Sequence, residues 1–248
     1  MMSNTSLFQI AETKRSFSAL FKSAIVGLGL MLGTVQFASA AEAPTNQHPT
    51  IRAMFGAEPS DRLDPKTTAL VVIDFQNEYF SGRMPIPDGM KALENTKRLI
   101  AFADKEHIPV IHVQHIAPAG AAVFGIDGKT VDFHPQMKPR PQDKVVQKTT
   151  VSVFASTDLD AQLKKAGVKT LIISGLMTHA CVAGAARDAV PLGYSVVVAS
   201  DATATRAITR ANGHSVTKDE LHNSALAEIE DTFGSVLTTS QIVALPVK

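Results

Sequence analysis

Cysteine is nearly missing from this chain: Cys181 is the only one in 248 residues. A single cysteine forms no internal disulfide, so no disulfide framework holds the fold. The thiol is then a small buried hydrophobe, a free reactive group or an intermolecular link. Net charge is nearly missing too, at +1 from 24 Lys and Arg against 23 Asp and Glu. No basic patch with interleaved aromatics occurs, which argues against nucleic acid as a partner. Repeats are absent, and no low-complexity tract lies outside an N-terminal leader. The one long apolar run, "SAIVGLGLMLGTVQFA" (23–38), is short and glycine-rich for a membrane span. No stable membrane anchor is expected.

What is present around that run reads as an export signal. Lys14, Arg15 and Lys22 precede it, and "ASA" (38–40) offers a small-residue cleavage site before Ala41. The "TKRSFSA" stretch (13–19) has Lys14 where a twin-arginine signal carries its first arginine, so both export routes stay open. Three segments are therefore expected: a signal peptide over 1–40, a flexible leader over 41–64, and one domain over 65–248. The location implied is periplasmic or secreted. Roughly 200 residues follow the leader's "EAPTNQHPT" (42–50), one domain on size grounds. At 45% hydrophobic and 19% charged residues, the chain can bury one good core.

Apolar runs alternate with amphipathic stretches. Strands are expected at "TALVVIDF" (68–75), "IPVIHVQH" (108–115), "DKVVQK" (143–148), "VKTLIISG" (168–175), "YSVVVASD" (194–201) and "SVLTT" (235–239). The continuous apolar character of the first suits a strand covered on both faces. Helices are expected over 89–107, 156–167, 178–193 and 217–233, the last opened by a Thr217–Glu220 capping-box pattern. Pro118, Gly120, Gly125, Gly128, Pro135, Pro139 and Pro141 make 116–143 a long loop, which in a compact domain is often functional. The fold class is α/β: three layers, a six-stranded mostly parallel sheet with helices on both faces.

Open sheets of this kind bind ligands at the carboxyl ends of their strands. Asp74 ends the first strand, Lys148 the third, and Cys181 follows the fourth in "GLMTHACVAGAARDA" (175–189). Each has a bland reading as a turn cap, a solvated amine or core packing. An acid, an amine and a thiol from three distant segments on one rim together suggest a shared site.

These residues also carry a resemblance. "ALVVIDFQNEYF" (69–80), the segment 145–206 with "KTTVSVF" and "GLMTHACVAGAARDA", and "FGSVLTTSQIV" (233–243) are similar to the isochorismatase-like cysteine hydrolases. That family includes nicotinamidases, carbamoyl-sarcosine amidohydrolases and ureidoacrylate amidohydrolases. The resemblance spans about 65–243 and places the family's Asp, Lys and Cys on Asp74, Lys148 and Cys181. It implies a non-proline cis peptide at Leu176–Met177, and a small amide or carbamoyl compound as substrate. It also implies a homo-oligomer, since many relatives complete the pocket wall with a neighbouring subunit.

The chemistry is coherent on its own terms. The thiolate is the nucleophile, and Cys181 is expected in the first turn of a helix, where the dipole and Lys148 favour its anion. Asp74 is the candidate proton acceptor and later donor. The backbone N–H groups of Cys181 and Met177 are candidate oxyanion donors.

Other residues have two readings. Gln76 either contacts substrate or satisfies loop backbone; Phe154 and Phe75 either wall the pocket or pack the core. His179 is expected to face solvent, His222 to be structural and far from the rim, and Asp201 to brace a loop near the site. No cofactor and no metal are expected. Nicotinamidases carry an Asp-x-His after the second strand, whereas "VIHVQHIAPAG" (110–120) has His112 and His115 without the aspartate. Their spacing sends them to opposite faces of a strand, and His134 does not complete a set. The leading function is an exported hydrolase of amide or carbamoyl C–N bonds acting through a thioester. A vinyl-ether-cleaving isochorismatase is the alternative, but members with that activity lack the cysteine. A non-catalytic binding protein is the second alternative, and it would need none of the three residues.

Overall fold

The period-2 pleat of a strand sends successive side chains to opposite faces, and the first strand shows the consequence. In β1 (Thr68–Ile73) every residue is buried. Leu70 and Val72 enter one apolar cluster, while Ala69, Val71 and Ile73 enter a second. The same alternation separates Ile172 from Leu171 and Ile173, and Val197 from Val196 and Val198. The sheet is thus the middle layer between two cores.

The computed structural model describes residues 48–248; the expected signal peptide and residues 41–47 lie outside them. A short helix α1 (Ile51–Met54) comes first. Then follow β1, α2 (Gly89–Lys105), β2 (Val110–His115), β3 (Lys144–Lys148), α3 (Leu159–Lys165) and β4 (Thr170–Leu176). After these come α4 (Ala183–Ala189), β5 (Ser195–Ala204), a hairpin of β6 (Ile208–Thr209) and β7 (Ser215–Val216), α5 (Lys218–Glu228), β8 (Ser235–Leu237) and α6 (Thr239–Val243). The six expected strands form one sheet in the order β3-β2-β1-β4-β5-β8. Every neighbouring pair in it is parallel.

Helices cover both faces. On one, α2 contributes Leu93, Leu99 and Phe102, and α6 contributes Ile242. On the other, α3 contributes Leu159 and Leu163, and the small residues of α4 let that helix lie close to the sheet. Each large apolar side chain so buried stabilises the fold by about 1.5–3 kcal/mol.

Several elements differ from expectation. Residues 50–64 are not a loose leader: Ile51 N–H donates to Asp231 at 2.8 Å, and Leu63 is 2% exposed in the core and bridges Val247. The apolar Leu63 is what ties this segment down. The helix expected over 178–193 opens as a π-helical turn, Thr178–Val182, before α4. The one expected over 217–233 closes in another, Ile229–Phe233. The helix α6 was not expected, although Thr238 and Gln241 form its capping box. Gly175 has φ +141°, and a Cβ there would sit 2.3 Å from the Ile73 carbonyl oxygen. Only glycine lets β4 approach β1 this closely at the rim.

Candidate active site

Three strands end at one rim and each delivers a group. Asp74 follows β1 directly, with φ 54°, a left-handed conformation uncommon outside glycine but tolerated by Asp. Its N–H still donates to Val113 O at 3.0 Å, so the chain turns while remaining tied to β2. Lys148 is the last residue of β3, in register with His115, the last of β2. β4 ends at Leu176, and the Leu176–Met177 peptide is cis. Cys181 lies in the π-helical turn that follows.

Lys148 is the hub. Its ammonium is fully buried and donates to His115 Nδ1 at 2.9 Å, Thr150 O at 3.2 Å and Cys181 Sγ at 3.3 Å. Asp74 Oδ2 is 2.8 Å from the same nitrogen. That contact is an ion pair lying off the direction of a formed hydrogen bond, for both Asp74 oxygens are buried without a hydrogen-bond partner among the described residues.

Burial and charge set the protonation states. Burial raises the Asp74 pKa above its ordinary value, against the pull of Lys148. Burial alone would lower that of Lys148, but the charges of Asp74 and Cys181 together raise it. The Cys181 thiol is pushed up to about 12 by burial first and Asp74 second, and Lys148 does not offset them. This corrects the expectation of a thiolate stabilised at a helix start. The resting group is a neutral thiol, because the adjacent carboxylate and the loss of water outweigh one ammonium.

Further residues complete the cluster. Tyr79 is 2% exposed; burial, and then the proximity of Cys181 and Asp74, raises its pKa. Its ring meets Phe124 edge-on at 5.2 Å, and Phe124 meets His115 at 4.9 Å. The His115 pKa falls to about 4 through burial and the facing Lys148, so the ring is neutral near pH 7.

Gln76 resolves to one of its two readings. Its Nε2 donates to the carbonyls of His115 at 2.8 Å and Val131 at 2.6 Å, and its Oε1 accepts from His115 N–H at 2.8 Å. A fully buried amide so occupied holds backbone, not substrate. Phe154 stacks on Tyr194 at 5.9 Å and packs, partly buried, against the core cluster that includes Cys181. Phe75 is also core.

The other histidines separate as their spacing required. His112 lies 3.3 Å from Asp143 in the interior, opposite to His115. His134 meets the Phe80 ring at 4.3 Å with the two planes tilted by 43°. His179 bonds Thr205 Oγ1 at 2.6 Å and is half-buried, where solvent exposure was expected. His222 is not remote from the rim: its Nδ1 shares a hydrogen bond of 2.9 Å with Thr178, at the start of the cysteine turn. It also lines a cavity of about 230 Å³, with Asp88, Thr205 and Lys218. Asp201 accepts from Thr239 N–H and Oγ1 at 2.6 and 2.7 Å, capping α6. Among the described residues no group of three or more His, Cys, Asp or Glu side chains converges as a metal set would.

An open parallel sheet carrying a carboxylate, an ammonium and a thiol at strand ends along one rim defines an α/β architecture with a cysteine hydrolase-type site. The chain belongs to the isochorismatase family, whose isochorismatase domain model matches residues 68–241. It is 33% identical over 193 residues to the secreted isochorismatase effector Isc1 of Verticillium dahliae, covering 78% of this chain and 98% of that protein. It is 29% identical over 213 residues to the ureidoacrylate amidohydrolase RutB of Caulobacter vibrioides, covering 72% and 90%. A crystal structure of a putative isochorismatase from Burkholderia xenovorans LB400 superposes with a TM-score of 0.69 at 34% identity, over 73% of this chain and 88% of that one.

Proposed function

We propose that this protein is an exported amidohydrolase that cleaves an amide or carbamoyl C–N bond of a small molecule through a thioester on Cys181. The observation that carries it is the buried ammonium of Lys148, within 3.3 Å of the Cys181 sulfur and 2.8 Å of the Asp74 carboxylate. Asp74 takes the thiol proton as sulfur attacks the carbonyl carbon. Lys148 steadies the sulfur as charge develops, and the N–H groups of Met177 and Cys181 receive the oxyanion. Asp74 then returns the proton to the departing nitrogen. Water, deprotonated by the same carboxylate, hydrolyses the thioester and restores the thiol.

The protonation states support this order. A thiol whose pKa is raised by burial and by Asp74 needs a base at the moment of attack. RutB, an amidohydrolase by name, supports C–N chemistry. The "ASA" cleavage site and the secreted effector Isc1 support export. A homo-oligomer that closes the pocket is part of the same proposal. A binding protein without catalysis is disfavoured by energetics, since a buried ion pair is often replaceable by apolar side chains at no loss of stability. Vinyl-ether cleavage would leave Cys181 without a role. The test is a panel of small amides and ureas assayed for released ammonia or amine. Turnover of at least one by the wild type and none by folded Cys181→Ala is expected; equal turnover by both would overturn the proposal.

A further inference from the structure

Lys148 has three N–H bonds and four acceptor groups around it. His115 Nδ1, Thr150 O and Cys181 Sγ take the three N–H bonds. Asp74, although closest in charge contact at 2.8 Å, lies off the direction of those three bonds, while its pairing with Lys148 still acts on the pKa of both groups. An ammonium normally turns a hydrogen bond toward an adjacent carboxylate, because such charge-assisted bonds are the strong ones. Something holds this rotor elsewhere. Thr150 O is fixed backbone, and His115 is fixed by a built clamp: Gln76 grips both its N–H and its C=O, at 2.8 Å each, and Phe124 lies edge-on to its ring.

We infer that His115 is a positioning residue for the nucleophile, anchoring one N–H of Lys148 so that another stays directed at Cys181 Sγ and the Asp74 carboxylate remains free to accept the thiol proton. The inference rests on the hydrolase reading above and deepens it. With the imidazole neutral near pH 7, Nδ1 is the acceptor and the ring proton is on Nε2. As the thiol proton moves to Asp74, the sulfur gains charge against an N–H already in place, and the ammonium need not rotate. Without the anchor, the rotor turns onto Asp74. That bond would satisfy the carboxylate, weaken it as a base, and leave the nascent thiolate unsupported. The charged and titratable groups facing this ammonium and thiol are Asp74 after β1, Tyr79 beyond it, His115 on β2 and Cys181 before α4.

Two kinds of substitution separate positioning from bulk. His115→Leu removes the acceptor at similar volume, while His115→Asn retains an acceptor near the Nδ1 position. The experiment uses the full chain and reads the rate of Cys181 alkylation by iodoacetamide at pH 9, with Lys148→Ala as reference. It also reads kcat and KM on whichever amide is turned over. Loss of one charge-assisted hydrogen bond should slow alkylation roughly tenfold in His115→Leu, with a similar fall in kcat, unchanged KM and near-complete recovery in His115→Asn. If the leucine variant does not fold, His115→Gln, whose acceptor lies one bond further out, should show the same loss. If Lys148→Ala slows alkylation and neither His115→Leu nor His115→Gln does, the positioning role is wrong and the hydrolase reading stands. If Lys148→Ala has no effect either, the Lys148–Cys181 pair is inert and both fail. A raised KM with unchanged kcat in both His115→Leu and His115→Asn would make His115 a substrate contact and overturn the inference.

Discussion

Replacing Asp74 by Asn changes one carboxylate oxygen to an amide NH2 at nearly constant volume, and the structure fixes two consequences of opposite appearance. The first is loss of the general base. Asp74 is the group next to the thiol with unpartnered acceptor oxygens, so turnover should fall by roughly 10²–10⁴-fold. The second concerns the resting thiol. Burial is the largest cause that raises its pKa to about 12 and remains in the variant, but the Asp74 charge is the second cause and is removed. Lys148, the opposing influence, is then unopposed, so the thiol pKa must move down from about 12 toward its ordinary value of 9.0. Alkylation at a fixed pH below the pKa follows the thiolate fraction and should therefore accelerate. The variant should label faster and work slower. The coupled thiol and carboxylate titrate as a pair in the wild type and as one group in Asp74→Asn. The same change strands a buried ammonium, a loss of about 3–5 kcal/mol in stability, so a thermal melt must first show the protein folded at the assay temperature. Iodoacetamide rates across pH 7–10, beside turnover, test both signs. Slower labelling in folded Asp74→Asn, or turnover within a few-fold of the wild type, would refute the reasoning.

Four other outcomes are expected. Turnover should fall on the acid side through an apparent pKa above 3.8, because Asp74 must be ionised to accept the proton and burial raises its pKa; an acid limb below that value would contradict its role as base. Gln76→Ala should lower both stability and kcat, since it opens two hydrogen bonds to the His115 backbone and one to the Val131 carbonyl, each leaving an unmatched group worth about 1–3 kcal/mol; a melt unchanged from wild type would count against the clamp. Leu99→Ala, at 1% exposure under α2, should lose about 2–5 kcal/mol on denaturant unfolding, with kcat unaffected at a temperature where it is folded. N-terminal sequencing of protein from an expressing cell should begin at Ala41, and a mature chain starting at Met1 would refute export.

The parts of the molecule that could be read in the sequence were those governed by local pattern. β1 and β4 are apolar runs because both faces are covered, and β1 ends at Ile73, immediately before Asp74. That is why Asp74, Lys148 and Cys181 stood out as a rim. Partnerships across register were not legible. His115 meets Lys148 only because β2 and β3 align these two residues, and no spacing in either strand encodes that. Tyr79 and the Thr178–His222 bond depend likewise on how distant turns fold back. The thiol's protonation state was misjudged because a helix start and a lysine are visible in sequence, whereas the degree of burial and the proximity of Asp74 are not. The later part of the leader, from residue 50, was misread for a different reason: its polar composition dominated the reading, while the burial of Leu63 in the core is not visible in the sequence.

The central claim is that Cys181 forms a thioester with the acyl part of its substrate. The most direct measurement is rapid-quench mass spectrometry of the wild type mixed with a turned-over amide, followed by peptide mapping. The account predicts a transient adduct of the acyl mass on the peptide bearing Cys181, appearing with one equivalent of released amine and decaying as acid product forms. Product formation at full rate with no adduct on that peptide, under conditions where acyl transfer is slower than quenching, would contradict it.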